Sequence, residues 1–405
     1  VKEAQAKQSP VASQIQLLEP VYVKGALLFT ALYALVMALW ASLSLHEVAY
    51  RTLVMLIALS PCALAASAIP ATLSALSNLA KQGVLVKAGS HLHQVSELSA
   101  IAFDKTGTLT QGRPQVTDTL LSAEAEQLLA VWVSMERQAN HPLAQAIVAH
   151  YASLPVLDLE VSNQMGQGLY ADYQGHSYQL AKPTAFEAVA PDYERQRLEW
   201  ESQGKTVVYL AQNQEVLGAM ALMDMAKDDA RQTLDYFKQV GVKTVMLTGD
   251  AELTGQAIGQ QLGIQSVQAQ VMPDQKAEEI RKLMGKHQMV AMVGDGINDA
   301  PALASASLGI AMGQGTDVAM ETADVILVRD QLQSLSYLHR LAKKHDRIIW
   351  QNIGFSMLVV LALVIMNVGQ ISNIALSVVG HEGSTLLVIL NGLRLLVPLS
   401  SRGES

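Results

Sequence analysis

The sequence predicts a multidomain membrane protein in which transmembrane α-helices flank a cytoplasmic α/β domain, with a second, α+β domain inserted into it. Hydrophobic residues make up 50% of the 405 positions and charged residues only 16%, against roughly 25% charged residues in soluble domains. The apolar excess is concentrated in two pairs of runs. Between those pairs, apolar strands alternate with amphipathic helices, and a chain of this length is expected to hold two or three domains.

Four apolar runs are predicted to cross a lipid bilayer. Each supplies roughly the 20 apolar residues that a membrane-spanning helix needs. Any single run could instead be a buried helix of a large soluble protein, but two closely spaced pairs favour membrane hairpins. The helix of the second run is expected to kink at Pro61, whose missing N–H frees the carbonyl of Ile57. The runs cover residues 21–44, 48–78, 348–369 and 371–397.

Basic residues indicate how the chain is oriented. Lys81 and Lys87 follow the second run, and a basic cluster precedes the third. By the positive-inside rule, residues 79–347 are cytoplasmic in a multi-pass protein of the cell (plasma or inner) membrane. The net charge of −8, without a basic stripe carrying aromatic residues, argues against a nucleic-acid partner. His91 and His93 are predicted to be solvated.

Reactive side chains of the central region stand where predicted β-strands end. Asp104, Thr248 and Asp295 each lie within two residues of the end of an apolar run, and amphipathic helices separate the last two. This alternation is typical of parallel βαβ units. Because open α/β sheets bind ligands at the carboxyl ends of their strands, we expect these side chains to meet at one site.

Residues 113–218 interrupt the alternating pattern. They contain predicted helices at 123–138 and 142–151 and short strands that include 207–210 and 216–220. We interpret this segment as the inserted second domain.

Four sequence clusters supply the groups that phosphoryl transfer requires. Asp104 offers a nucleophile, Thr248 a hydroxyl, Lys276 a positive charge and Asp295 a carboxylate for Mg²⁺, and the reaction needs mostly positioning and charge neutralisation. Each cluster alone would be weak evidence, since Thr-Gly-Asp and Gly-Asp-Gly also form plain turns. The clusters are Asp104-Lys105-Thr106-Gly107-Thr108-Leu109-Thr110, Thr248-Gly249-Asp250, Pro273-Asp274-Gln275-Lys276 and Gly294-Asp295-Gly296-Ile297-Asn298-Asp299-Ala300-Pro301.

In this order the clusters resemble the phosphorylation domain of P-type ATPases, which is itself similar to the haloacid dehalogenase fold. The resemblance implies that ATP phosphorylates Asp104 and that Mg²⁺ lies beside it. The implied Mg²⁺ ligands are Asp104, the carbonyl of Thr106, Asp295 and Asp299. The other implied site residues are Lys105, Thr248, Gly249 and Lys276 around the phosphoryl group, Asp250 on the nucleotide side, and Asn298 in the supporting network.

Position 106 separates two enzyme classes. Soluble phosphatases of the related fold usually carry an aspartate two residues after the nucleophile, where it serves as general acid and base. Thr106 cannot do that, so the aspartyl-phosphate should outlive the transfer step. The sequence therefore favours a pump over a membrane-anchored phosphatase. An inactive metal-binding remnant is a third hypothesis, which the intact clusters disfavour.

Part of the inserted domain resembles the nucleotide-binding domain of heavy-metal P-type ATPases. The resemblance rests on Asn140-His141-Pro142, on Gly166-x-Gly168 and on Glu136. It implies that His141 and Glu136 contact the adenine of ATP while the two glycines admit the ring close to the backbone. Taken alone, His141 could simply begin a helix beside a proline at its first position.

Two membrane motifs bear on the transported ion. Ser60-Pro61-Cys62 and His381-Glu382-Gly383-Ser384-Thr385 resemble the Ser-Pro-Cys / His-Glu-Gly branch of heavy-metal P-type ATPases, which is associated with cobalt, zinc and related divalent ions. One sulfur with imidazole and oxygen ligands suits borderline divalent cations better than soft Cu(I). The implied ligands of the transported ion are Ser60, Cys62, His381, Glu382 and Thr385.

The sequence departs from the family in one respect, and this departure bears on the predicted domain boundaries. Complete pumps carry an actuator domain with a Thr-Gly-Glu loop, which this sequence lacks. We therefore expect an upstream actuator domain and N-terminal helices to be partners within a longer protein. The predicted segments are a linker at 1–20, a helix pair at 21–78, the phosphorylation domain at 79–112 and 219–335, the inserted domain at 113–218, and a helix pair with a short tail at 336–405.

Overall fold

The structure is a computed structural model that describes residues 10–40, 43–139, 141–164 and 167–399. It divides into two compact units. One comprises the described residues of 1–98, 324–329 and 334–405, and the other comprises those of 99–323 and 330–333.

The helices of the described chain, in order, are α1 (Pro10–Trp40), α2 (Leu45–Ala58), α3 (Cys62–Ala65), α4 (Ile69–Lys81), α5 (Ser90–Ser96), α6 (Ala123–Glu136), α7 (Pro142–His150), α8 (Pro191–Ser202), α9 (Ala230–Gln239), α10 (Glu252–Leu262), α11 (Lys276–Met284), α12 (Ala300–Ser305), α13 (Asp317–Thr322), α14 (Gln333–Val368) and α15 (Ile374–Leu393).

The strands are β1 (Val84–Val86), β2 (Ala100–Asp104), β3 (Gln115–Leu121), β4 (Val161–Gln164), β5 (Gly168–Tyr173), β6 (His176–Ala181), β7 (Thr206–Gln212), β8 (Glu215–Met223), β9 (Lys243–Leu247), β10 (Ser266–Gln268), β11 (Val290–Gly294), β12 (Leu308–Met312) and β13 (Val325–Leu327).

Four helical segments of the first unit are long and apolar enough to cross a membrane, as the sequence predicts. Their bounds are Pro20–Leu39, Leu45–Lys81, Gln333–Val368 and Ile374–Leu396. The third begins about four turns before the apolar run that predicted it. Its polar first half is helical because Leu335, Leu338 and Leu341 recur at helical spacing and are buried.

The second span is interrupted at Pro61, where the sequence predicts a kink. Helix α2 ends at Ala58, and α3 begins at Cys62 directly after the proline. The carbonyl of Ile57 accepts the amide of Ser60 at 3.3 Å instead of an amide at position 61. A second break precedes α4, in which Pro70 occupies the first turn.

Polar contacts tie the helices of this unit together. Asn352 Nδ2 donates to the carbonyl of Ser67 at 3.1 Å, and Asn391 Nδ2 donates to Asn352 Oδ1 at 2.9 Å. Beyond the C-terminal end of α14, Arg51 donates to the carbonyl of Ser372 at 2.7 Å. The contacts between these helices therefore include hydrogen bonds as well as apolar packing.

Helix α5 is held to α14 by a carboxylate, so the prediction that its histidines are solvated is wrong. The Nδ1 of His93 lies 2.8 Å from Asp346 Oδ2, and the Nε2 of His91 lies 3.4 Å from Asp324 Oδ1. Strands β1 and β13 of the same unit pair in antiparallel fashion.

The second unit contains the predicted parallel strands. Their order is β12-β11-β2-β9-β10. Asp104 is in register with Leu247, and Phe103 is in register with Val293. Three strand ends, and the loops that follow them, therefore meet at one edge of the sheet.

The inserted domain of this unit is a six-stranded antiparallel sheet in the order β3-β8-β7-β6-β5-β4. Along β7, Val208 and Leu210 belong to a core with α6 and α7, whereas Val207 and Tyr209 belong to a core with Trp200 of α8. This alternation shows that helices cover both faces of the sheet. Strand β8 runs to Met223, beyond the boundary predicted at residue 218.

Candidate active site

The site is centred on Asp104, the last residue of β2. The residue is 7% exposed, and Lys276 Nζ donates to its Oδ1 at 2.6 Å and to Asp299 Oδ1 at 2.6 Å. Burial tends to lower the pKa of Lys276, but the two carboxylates outweigh it and raise that pKa. The lysine therefore remains charged and holds two acidic side chains in fixed positions.

The turn after Asp104 requires glycine. Gly107 has φ +71°, and a Cβ atom there would lie 1.9 Å from Asp295 Oδ2. Both the left-handed backbone and the missing side chain are needed, because they allow the loop to approach Asp295 closely. The Gly-Thr pattern of the first cluster thus sets the distance between the loop and the opposing carboxylate.

Three carboxylates converge at this point. One oxygen each of Asp104, Asp295 and Asp299 lie within 4.8 Å of one another. Burial and the Asp299 charge raise the pKa of Asp104 to about 6, although Lys276 opposes this. Burial and the two neighbouring aspartates raise the pKa of Asp295 to about 7. Lys276 supplies one positive charge for these three carboxylates, and a hard divalent cation with oxygen ligands would supply more.

The three carboxylates therefore fit Mg²⁺, and Asp299 is also bonded within the protein. Asp299 Oδ1 already accepts from Lys276, and Asp299 Oδ2 accepts the amides of Asp295 at 3.3 Å and Gly296 at 3.1 Å. Asp299 is thus held in place by these hydrogen bonds, and its oxygens keep further lone pairs. The predicted supporting residue Asn298 is exposed in the adjoining turn, Ile297–Asp299.

The neighbouring strand contributes a second charged pair. Lys105 forms a buried ion pair with Asp250, and Thr248 Oγ1 donates to Asp250 Oδ2 at 3.0 Å. Burial alone would raise the pKa of Asp250, but Lys105 and Thr248 outweigh it and hold that pKa below its usual range. Gly249 lies between Thr248 and Asp250 and, like them, follows β9. The structure thus brings the first two sequence clusters together.

A cavity of about 860 Å³ extends from this site to the inserted sheet. Its lining includes Lys105, Thr106 and Asp250 at one side and Glu136 and His141 at the other. A volume of this size is within the range of pockets that bind drug-sized ligands. The predicted nucleotide residues therefore share one cavity with the loop that follows Asp104.

Glu136 and His141 differ in how they are held. Glu136 is 1% exposed, and neither carboxylate oxygen has a hydrogen-bond partner in the described residues. Burial raises its pKa to about 7. His141 Nδ1 accepts the amide of Ala144 at 3.1 Å and so caps α7, while its Nε2 lies 3.7 Å from Glu136 Oε2. His141 is thus both a helix cap and a cavity residue.

The glycines predicted for nucleotide binding are only partly described. Gly168 has φ +92°, and a Cβ there would lie 2.3 Å from the carbonyl of Leu180. Gly166 and Asn140 lie outside the described residues. At Gly168 the glycine is therefore needed for close packing of β5 on β6, beside the cavity.

The cavity lining includes two charged residues, Lys182 and Asp224, that the sequence analysis did not assign to the site. Asp224 accepts hydrogen bonds from Thr110 Oγ1 and from the amides of Gly112 and Arg113, so it joins the two chain segments between the sheets. Lys182 directly follows β6. A charged residue at a strand end was the available signal for both, but such residues are common in loops.

The membrane residues proposed for the transported ion lie in the helical unit. Ser60 Oγ is 3.0 Å from Cys62 Sγ. His381 is buried with both ring nitrogens unpartnered among the described residues, Thr385 Oγ1 donates to its carbonyl at 3.2 Å, and Glu382 is exposed. Helices α3 and α15 are in contact. Within the described chain, no three of the His, Cys and acidic ligand atoms here come within 4.8 Å of one another.

Comparisons with known proteins agree with this geometry. The sequence model of the haloacid dehalogenase-like hydrolase family matches residues 98–307. The zinc-transporting ATPase of Bacillus subtilis (strain 168) is 43% identical over 404 residues, which are 98% of this chain and 63% of that protein. A probable cadmium-transporting ATPase of Listeria monocytogenes is 37% identical, over 98% of this chain and 58% of that protein.

A solved structure extends the similarity to three dimensions. The crystal structure of a zinc-transporting PIB-type ATPase in the E2.Pi state matches with a TM-score of 0.76 at 36% identity, covering 93% of this chain and 63% of that one. The chain thus spans less than two thirds of the length of each of these relatives.

Proposed function

The chain belongs to the haloacid dehalogenase-like hydrolase family, and from that premise we propose that it is the catalytic and membrane part of a P-type ATPase. The proposed activity is export of a divalent heavy-metal cation, driven by ATP through an aspartyl-phosphate at Asp104. Its relatives are named as zinc- and cadmium-transporting ATPases, which supports zinc or cadmium as cargo, with cobalt as a further candidate from the membrane motifs.

The observation that carries the proposal is the bridge from Lys276 to Asp104 and Asp299. A nucleophilic carboxylate must be ionised, and the lysine stabilises that form in a buried site. In the proposed step, an Asp104 oxygen attacks the γ-phosphorus of ATP, the bond from that phosphorus to the β,γ-bridging oxygen breaks, and ADP leaves. The product is a mixed anhydride on Asp104.

The neighbouring residues have matching roles in this proposal. Lys276 and Thr248 bind phosphoryl oxygens, and Lys105 with Asp250 orders the nucleotide side of the site. Asp104, Asp295, Asp299 and the carbonyl of Thr106 would hold Mg²⁺, which would neutralise charge on the phosphoryl oxygens.

The nucleotide is proposed to occupy the cavity of about 860 Å³. Glu136 would accept a hydrogen bond from the adenine amino group, which supplies the partner that its buried oxygens lack. His141 would stack on the ring, because its Nδ1 is already used as a helix cap. Gly168 would let the base approach the strand backbone.

The membrane part is proposed to bind the cargo ion through Ser60, Cys62, His381, Glu382 and Thr385. The orphaned ring nitrogens of His381 support this role, since a buried imidazole without partners is costly. Residues 79–347 are proposed to be cytoplasmic in a cell membrane. An actuator domain and further helices, outside these 405 residues, are the proposed partners for hydrolysis of the phosphoenzyme.

The test is phosphorylation from γ-labelled ATP in membranes that contain the chain or its Asp104→Asn variant. We expect label that is stable in acid and released by hydroxylamine on the unmodified chain alone, since an acyl phosphate has that chemistry. Equal labelling of the Asn variant would contradict the proposal. Rapid phosphate release without a phosphoenzyme would favour a phosphatase, which Thr106 disfavours because a threonine cannot act as general base.

A further inference from the structure

The cavity between the two sheets carries three cationic side chains, and they differ in what holds them. Lys105 is paired with Asp250. Arg197 is bonded to Glu194 and, at 2.6 Å, to Glu201. These two charges are therefore already balanced by the protein, although the side chains line the cavity.

Lys182 is different. It lines the same cavity and is exposed, and it takes part in none of the ion pairs found among the described residues. Its backbone is fixed, because it directly follows β6 and its carbonyl accepts the amide of Ala185 at 3.0 Å. A fixed backbone thus holds an exposed ammonium group at the cavity wall.

The charge of Lys182 acts on titratable groups at both ends of the cavity. Its charge lowers the pKa of His141, after the larger effect of burial. It also contributes to lowering the pKa of Asp250, although Lys105 contributes more. The ammonium group therefore lies within electrostatic reach of both the proposed adenine end and the phosphoryl end.

We propose that Lys182 binds the α- and β-phosphate oxygens of the nucleotide and so makes the cavity selective for nucleoside di- and triphosphates over monophosphates. The acidic lining strengthens this requirement, because Glu201, Asp224 and Glu252 surround the same space and would repel a polyphosphate. The inference rests on the proposed nucleotide site and adds a specificity-determining residue to it.

The close packing at Gly168 supports the assignment. The carbonyl of Leu180 and the side chain of Ala181 leave no room for a Cβ at Gly168, so β5 fixes the end of the strand from which Lys182 projects. A side chain there would displace the strand end and, with it, the ammonium group.

The test measures equilibrium binding of Mg²⁺-ATP, ADP and AMP to the full chain, in an Asp104→Asn background that prevents phosphorylation. We expect Lys182→Met to weaken ATP binding about 10-fold, as the loss of a charge-assisted hydrogen bond does. ADP should lose about as much, and AMP less than about 3-fold. Lys182→Arg should restore most of the affinity for ATP, because it keeps the charge.

Lys286→Met serves as the matched control, because Lys286 is exposed and does not line the cavity. Equal losses for all three nucleotides, or no loss for ATP in a folded Lys182→Met variant, would overturn the inference while leaving the nucleotide site intact. Failure of the unmodified Lys182 chain to bind ATP would overturn the proposed function together with this inference.

Discussion

At the scale of single residues, ion pairs between lysines and carboxylates fix the side chains of the candidate active site. Lys276 is buried between two carboxylates at 2.6 Å from each, and Lys105 is paired with Asp250. Removing one partner of such a buried pair leaves an uncompensated charge, which costs about 3–5 kcal/mol. The lysines therefore stabilise the folded site, and in the proposed reaction they would also offset charge on the phosphoryl group.

Gly107 provides the sharpest steric prediction. We expect Gly107→Ala to abolish phosphorylation from ATP, because its Cβ would overlap Asp295 Oδ2. Gly175→Ala is the matched control: Gly175 also has positive φ, +84°, but nothing lies within 4 Å of its added Cβ. The control should cost about 1–2 kcal/mol of backbone strain and keep activity. Full phosphoenzyme formation by Gly107→Ala would show that the overlap is relieved.

The raised pKa of Glu136 predicts that the free energy of unfolding depends on pH. Its pKa is raised by burial from the ordinary 4.5 to about 7, so the folded state binds a proton that the unfolded state has released. Stability should then fall as pH rises from about 4.5 through about 7, by roughly 3 kcal/mol in total.

The measurement compares the thermal unfolding of the chain with that of Glu136→Gln at pH 5 and pH 8. The glutamine variant should match the unmodified chain at pH 5 and be more stable at pH 8. Glu126→Gln, which changes an exposed residue of the same helix, should show no such difference. A variant that is less stable than the unmodified chain at pH 8 would contradict the argument.

At the scale of elements, Asp346 of α14 is the main polar link to α5. It accepts hydrogen bonds from His93 and Ser96 of α5, and its other oxygen contacts His345, whose Nε2 lies 2.9 Å from Thr72 of α4. Three helices are thus joined through one carboxylate. Apolar periodicity could predict the helices, but it could not predict which polar side chains would meet between them.

We therefore expect Asp346→Ala to loosen α5. The variant removes the hydrogen bonds of Asp346 to His93 and Ser96, each worth about 0.5–1.5 kcal/mol, or more to a charged group, and amide hydrogen exchange in α5 should accelerate. Glu97→Gln is the control, because Glu97 and Lys343 form an exposed pair at 3.9 Å that contributes little. Unchanged exchange in α5 of the Asp346 variant would show that apolar packing alone holds this helix.

At the scale of the whole molecule, the question is whether the membrane helices control the phosphorylation site. We expect Cys62→Ala and His381→Ala to abolish metal-dependent phosphorylation of Asp104 while ATP binding persists, because the cargo ion would lose its sulfur and imidazole ligands. The measurement is phosphoenzyme level as a function of Zn²⁺, Cd²⁺ or Co²⁺ concentration. His46→Ala, at an exposed histidine of the same unit, should respond normally. A normal metal response in both ligand variants would remove the proposed ion site.

The sequence by itself determined the four apolar spans, a departure from regular helix at Pro61, the parallel strands that lead to Asp104, Thr248 and Asp295, and the inserted domain. These follow from local rules: helix and strand periodicity, the missing N–H of proline, and the placement of ligands at strand ends. Such signals depend on residues that are close in the chain, so they can be read without the fold.

Only the tertiary structure decided which distant side chains meet. It showed that Asp299 holds Lys276, that Lys182 lines the cavity beside the inserted sheet and that α5 is joined to α14 through Asp346. Each of these depends on packing between elements separated in the chain or on how a side chain's hydrogen bonds are shared. Neither is fixed by periodicity, because many polar residues are compatible with the same exposed or buried position.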